Sequence, residues 1–159
     1  MKKLKPIKEF SGKYNFLSNF YMSPVSFQGI IYTNAEAAYQ SAKTQDMSIR
    51  RLFKDYDPSK AKKEGRNLDL RSDWEQVKFD IMYEICYSKF SWNLDMSLKL
   101  LQTGHVLLEE GNHWGDKIWG TVNGEGMNHL GLTLMRIRQD MRSNLMEAFA
   151  IIKEEDDAR

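Results

Sequence analysis

Apolar residues return at helical spacing in two long stretches of this chain. Between Trp74 and Phe90, the positions Trp74, Val77, Ile81 and Ile85 follow one face, which predicts a helix lying mostly in the core. From Leu130 onward, Leu130, Leu134, Ile137, Met141, Leu145, Ala148 and Ile152 trace a single stripe. Arg136, Arg138, Gln139, Asp140, Arg142 and Asn144 fall mostly off it, so an amphipathic helix should close the core here. The charged tail, Lys153 to Arg159, is expected to fray. Shorter runs read differently. Val25–Phe27 and Ile30–Tyr32 are two strands joined through Gln28-Gly29, a small hairpin. Ile7–Phe10 and Val106–Leu108 are further candidate strands, the second a buried one.

Capping signals divide the rest. Thr33 and Glu36 fit a Thr-x-x-Glu capping box and open a helix directly after the hairpin. Asp46 should cap a short helix through Phe53. Asp57-Pro58 opens another, which runs to the break at Gly65-Arg66-Asn67. Ser72 and Glu75 form a second capping box before the Trp74 helix. Asn93 or Asp95 starts a helix ending at Gly104, and Asn128 can cap the last one. The aromatic-rich stretch Phe10–Tyr21 has neither period and reads as an ordered loop pinned by Phe16, Leu17 and Phe20.

The 159 residues suit one domain, 1–159, with a real core. A net charge of +1 argues against nucleic-acid binding through a broad basic field. The single cysteine, Cys86, lies in an apolar run and reads as a buried structural thiol. His105 has no partner at metal-ligand spacing. No stretch approaches a membrane span, and the basic start has no apolar segment behind it, so the cytoplasm is the expected compartment.

Chemistry concentrates in four places. Glu36, Tyr39, Gln40 and Lys43 sit at i, i+3, i+4 and i+7 of the capping-box helix, with alanines between them. A core helix would normally carry Leu, Ile or Phe there. Either this is a solvated polar face, or it is a carboxylate, a phenol, an amide and an amine gathered for a ligand. The helix dipole favours an ionised Glu36. In the Phe10–Tyr21 loop, Asn19 and Phe20 combine polar and apolar contacts, as a pocket wall or as a packed turn. The segment Gly111–Asn128 holds five glycines and two tryptophans among 18 residues. That is too aromatic for a linker and predicts an ordered functional loop, with Asp116 and Glu125 as its acidic groups. Lys60, Lys62, Lys63 and Arg66 form a basic run able to steer a phosphorylated ligand or simply lie in solvent.

These residues, in this order, resemble the NADAR (YbiA-like) family of N-glycosidases over nearly the whole chain. The resemblance rests on Phe16-Leu-Ser-Asn-Phe20, Asn34-x-Glu36-x-x-Tyr39-Gln-x-x-Lys43, Gly65-Arg66, Trp74, Lys89-Phe90 and Leu108-Glu109. It continues through Trp114-Gly115-Asp116, Asn128-x-Leu-Gly131 and Leu134-Met135-x-x-Arg138. It implies an α+β fold, mostly helical around a small sheet. It also implies an enzyme that hydrolyses the bond between ribose and a base, without metal or cofactor. The substrates implied are phosphoribosylated intermediates of riboflavin synthesis or ADP-ribosylated guanine, including modified nucleic acid. A catalytically silent ADP-ribose or NAD module is the alternative from a different class. Lys43, Glu36 and Asp116 are the catalytic candidates, with Lys43 either forming a Schiff base or only binding while a carboxylate activates water. Asn19, Phe20, Tyr39, Gln40, Arg66, Trp114, Gly115 and Asn128 are the binding candidates, with Trp114 and Phe20 stacking the base and Arg66 meeting a phosphate. The oligomeric state is open.

Overall fold

The computed structural model describes residues 5–157. Its basic start, Met1 to Leu4, and its last two residues lie outside that range. Two antiparallel strands, β1 (Met22–Phe27) and β2 (Ile30–Asn34), are followed by helices α1 (Ala35–Ser41), α2 (Met47–Leu52), α3 (Pro58–Gly65), α4 (Trp74–Ser91), α5 (Leu94–Gln102) and α6 (His129–Asp157). The architecture is α+β and mostly helical, as the family resemblance implies. The hairpin turns on Gln28 (φ 47°) and Gly29 (φ 81°). Positive φ at both positions is the geometry that matches the twist of the strands. Gln28 tolerates it with its side-chain carbonyl held by the Arg50 guanidinium. Pro24, which has no N–H to donate, falls within the bulge of β1.

The helix starts correct the sequence reading in three places. α1 is capped by Asn34, not Thr33: Asn34 Oδ1 accepts the Ala37 N–H at 2.8 Å, and its Nδ2 donates to Tyr56 O at 2.9 Å. Thr33 instead lies against the Tyr56 carbonyl. The cap position of α4 is Asp73, not Ser72, and its carboxylate is taken up by Arg71 at 2.6 Å. Asn128 is no side-chain cap, because its Oδ1 accepts from Glu110 N and its Nδ2 donates to Leu108 O. Asp46, Asp57 and Asn93 do cap α2, α3 and α5 as expected.

Val106–Leu108 is not a buried strand. It makes one parallel bridge, Ile7 to Leu108, and Leu107 is exposed. Phe10–Tyr21 contains a 3-10 helix, Gly12–Leu17, which buries Phe16 and Leu17. α4 is the central rod and packs against β1, α1, α5 and α6. On α6 the stripe is buried from Leu130 to Met141 only. Leu145, Met146, Phe149 and Ile152 are exposed, and the helix continues through Asp157 where fraying was expected.

Two buried details hold the frame. Ala61 and Gly65 of α3 lie against α1, and a methyl group on Gly65 would overlap Gln40 Oε1 and Cβ. Lys89, 1% exposed, donates from Nζ to Ser18 O at 2.7 Å and lies beside the Tyr21 and Phe90 rings. Burial pulls its ammonium down to about 8.

Gly65→Ala should destabilise by roughly 1–3 kcal/mol through overpacking, read as a lower urea midpoint at unchanged slope. Lys89 yields a pH prediction. Between about pH 8 and the ordinary lysine value, the unfolded chain holds a proton that the folded chain has lost. Stability contributed by this group therefore rises with pH across that window. Urea unfolding of Lys89→Met should lack this rise relative to the parent chain.

Candidate active site

α1 is short and all seven of its residues are buried, so its polar face does not meet bulk solvent. Ala35, Ala37, Ala38 and Ala42 are fully buried and let β2, α3 and α4 approach closely. The face carrying Glu36, Tyr39 and Gln40 opens instead onto a cleft of about 520 Å³. That volume suits a nucleotide-sized ligand. Lys43, half-buried two residues beyond the end of the helix, lines the same cleft.

Three segments converge on it. The loop before β1 supplies Ser18, Asn19 and Phe20, and is tied to α1 by the Glu36 N–H donating to Asn19 O at 3.1 Å. α4 supplies Trp74, Lys78 and Met82. The glycine-rich segment supplies Glu110, Trp114, Asp116, Ile118 and Trp119. This segment is ordered by its own main chain. Thr121 N donates to Glu110 O, Asn112 N to Thr121 O, Met127 N to Lys117 O and Leu130 N to Trp119 O. Gly120 leaves no room for a Cβ against the Glu110 carbonyl. Asp116 Oδ1 accepts the N–H groups of Ile118 and Trp119 at 3.0 and 2.9 Å, an Asx turn that fixes its carboxylate.

The floor is polar and enclosed, and the mouth is aromatic and open. Glu36 is 7% exposed and accepts from Gln40 Nε2 at 2.8 Å, while Gln40 Oε1 has no partner among the described residues. Tyr39 packs on Trp74 and Trp119, with ring centroids 5.2 and 5.4 Å apart. At the mouth, Phe20 and Trp114 are 42% and 59% exposed, and Lys62 Nζ stands 5.7 and 5.8 Å from their ring centres.

Burial raises the Glu36 carboxyl above its ordinary range, and the Gln40 hydrogen bond and the Lys62 and Lys43 charges pull the other way. Desolvation leads, so Glu36 moves toward its neutral form, against the expectation from the cap position. Burial lowers the Lys43 amine, with Glu36 opposing and Arg66 and Lys62 adding to the shift. Lys43 Nζ lies 3.5 Å from Gly65 O. The Glu110 carboxyl is pushed up to about 8, first by burial and then by Asp116 and Glu36.

Of the expected site residues, the cleft gathers Asn19, Phe20, Glu36, Tyr39, Gln40, Lys43, Trp114 and Asp116. Arg66, Gly115 and Asn128 do not line it. Arg66 is exposed beside it, and the basic group on the wall is Lys62. Gly115 (φ 90°) shapes the turn between Trp114 and Asp116. The Asn128 amide is taken up by the main chain of residues 108 and 110. The sequence reading passed over Glu110, Lys62 and Trp119 as lining residues. Lys62 was legible: it precedes Gly65 by three positions, so it flanks the helix face that meets α1. Of the pair Glu109-Glu110, alternation puts one side chain on each face, but only packing decides which. Glu109 turns away and accepts from Thr121 Oγ1 at 2.6 Å. Among the described residues no group of three or more His, Cys, Asp or Glu is arranged to hold a metal ion, and no helix is long and apolar enough to cross a membrane.

The chain is similar to an N-glycosidase of Nostoc punctiforme, 37% identical over 139 residues, covering 83% of this chain and 88% of that one. It is similar to the N-glycosidase YbiA of Shigella flexneri, 32% identical over 82% of this chain and 84% of that one. A riboflavin biosynthesis protein of Vibrio vulnificus is 30% identical over 82% of this chain, which spans 36% of that longer protein. The NMR structure of the Escherichia coli protein YbiA superposes with a TM-score of 0.82 at 28% identity, covering 92% of this chain and 90% of that one. The family model for the NADAR domain matches residues 7–142, which include every residue lining the cleft, and the chain belongs to that family.

Proposed function

We propose that this protein is an N-glycosidase that hydrolyses the bond between a ribose, carried as a phosphoribosyl or ADP-ribosyl group, and its base. The observation that carries the reading is the meeting of Lys43, Glu36 and Asp116 in one cleft with aromatic walls and a lysine at its mouth. The names of the relatives support the reaction class. The riboflavin biosynthesis relative favours a phosphoribosylated pyrimidine as substrate.

Breaking the bond passes through an oxocarbenium-like state, which negative charge stabilises. Asp116 and Glu36 are the carboxyl groups in the cleft that can supply it, Glu36 against a burial that favours its neutral form. Phe20 and Trp114 offer flat faces to the base, and Lys62 offers a cation to the phosphate. Lys43 attacks the anomeric carbon. It needs a neutral amine, and the burial that lowers its pKa makes one accessible. The sugar ring then opens to a Schiff base, which water hydrolyses to free ribose and Lys43. Because the neutral amine is the nucleophile, adduct formation should speed up as pH rises toward the lowered Lys43 pKa.

The test is base release, followed by mass spectrometry, from the pyrimidine intermediate of riboflavin synthesis, ADP-ribosylated guanosine, ADP-ribosylated guanine in DNA, and NAD. Borohydride should trap an adduct on Lys43. Lys43→Ala and Glu36→Gln should each abolish turnover with the fold intact, and parental rates in both would remove the site assignment. Release without an adduct would favour direct attack by water, and ADP-ribose binding without release would indicate a binding module. Asp116→Asn keeps an oxygen for the Ile118 and Trp119 N–H groups but loses the charge. It should cost at least ~10-fold in kcat with unchanged thermal stability.

A further inference from the structure

The departing base leaves with an electron pair on nitrogen and needs a proton, yet the three groups assigned above do not obviously supply it. Lys43 must be neutral to attack. Glu36, although burial raises its carboxyl pKa, has an oxygen engaged by Gln40 Nε2 and faces two lysine charges, partners that a free proton donor would lack. Asp116 already has its Oδ1 engaged by two main-chain N–H groups.

Resting on the glycosidase reading, we infer that Glu110 is the general acid that protonates the departing base. Its main chain is fixed on both sides: the N–H donates to Asn128 Oδ1 at 3.0 Å, and the carbonyl accepts from Thr121 N at 2.9 Å. The half-buried side chain points into the cleft with no hydrogen-bond or ion-pair partner among the described residues. It is therefore the one carboxyl of the three with no donor to stabilise its anion. Two neighbouring carboxylates oppose its ionisation, and Lys62 is the cation that favours it. A carboxylic acid kept neutral at physiological pH is the form that donates a proton. Its pKa, pushed up to about 8, agrees with the geometry.

The step balances without a further reagent. The ribose C1′–N bond breaks and its pair stays on the base. The Glu110 O–H bond breaks as the new N–H bond forms, leaving Glu110 as a carboxylate. The water that later hydrolyses the Lys43 adduct gives its oxygen to C1′ and returns one proton to Glu110. The net change is addition of one water across the glycosidic bond.

The experiment compares the parent chain with Glu110→Gln and Glu110→Asp on the active substrate, beside a carbon-13 titration of the glutamate carboxyls. The parent profile of kcat/KM against pH should show a limb near pH 8. Glu110→Gln, which keeps size and main-chain bonds, should lower kcat by ~10²-fold or more, leave KM within a few-fold and remove that limb. Glu110→Asp should restore part of the rate. In the titration, the resonance missing from Glu110→Gln should have its midpoint near 8. An unchanged kcat and limb in Glu110→Gln, or a Glu110 midpoint in the ordinary carboxyl range, would overturn the inference while leaving the glycosidase reading in place. A parent chain that releases no base from any substrate would overturn both.

Discussion

Placing a carboxylate and an amide on a helix that is buried on every side constrains everything packed around α1. The helix can be enclosed because Ala35, Ala37, Ala38 and Ser41 are small, and Gly65 of α3 has no side chain to keep Gln40 out. An unpaired polar group in such a place costs about 1–3 kcal/mol, so partners have to come from within. Gln40 meets Glu36, Asn34 caps the helix, and the Asn19 carbonyl takes the Glu36 N–H. The loop that carries Asn19 is anchored in turn by Lys89, whose own burial is unfavourable. The site and the core are thus one set of contacts.

The electrostatics follow from that enclosure. In bulk water the carboxyls and lysines of this cleft would influence one another weakly. Here desolvation is the leading cause of the shifts of Glu36, Lys43 and Glu110, and it moves all three toward their neutral forms. Neutral lysine and neutral glutamic acid are the states that nucleophilic attack and proton donation require. On the proposed mechanism, the same burial that costs stability would prepare both the attacking amine and the proton donor. Asp116 is held in another way, by two N–H groups of a loop whose glycines allow the tight turn.

Periodicity and caps carried much of the fold. The Trp74 helix, the hairpin on Gln28-Gly29, and the Asp46, Asp57 and Asn93 caps were all legible because each depends on neighbours within a few residues. The failures were competitions that only distant residues settle. Tyr56 O and Ala37 N draw Asn34 into the cap in place of Thr33. Arg71 engages Asp73 beside the start of α4. The stripe on α6 is continuous in sequence, yet only its first part, Leu130 to Met141, is buried against the rest of the fold.

The site divides in the same way. From the sequence alone came the residue types and their spacing: Glu36, Tyr39 and Gln40 on one face of α1 is a geometric consequence of the helix period, whereas Lys43, expected on the same helix, follows two residues after it ends. Whether that face met water or a ligand was a matter of what packed around it, and no local pattern contains that information. Tertiary structure decided that the helix is buried, that Lys62 rather than Arg66 stands on the wall, and that Asn128 serves the main chain. It also turned Glu110 inward and Glu109 away. Spacing is fixed by the backbone near each residue, whereas burial, and with it protonation, is fixed by segments far apart in the chain.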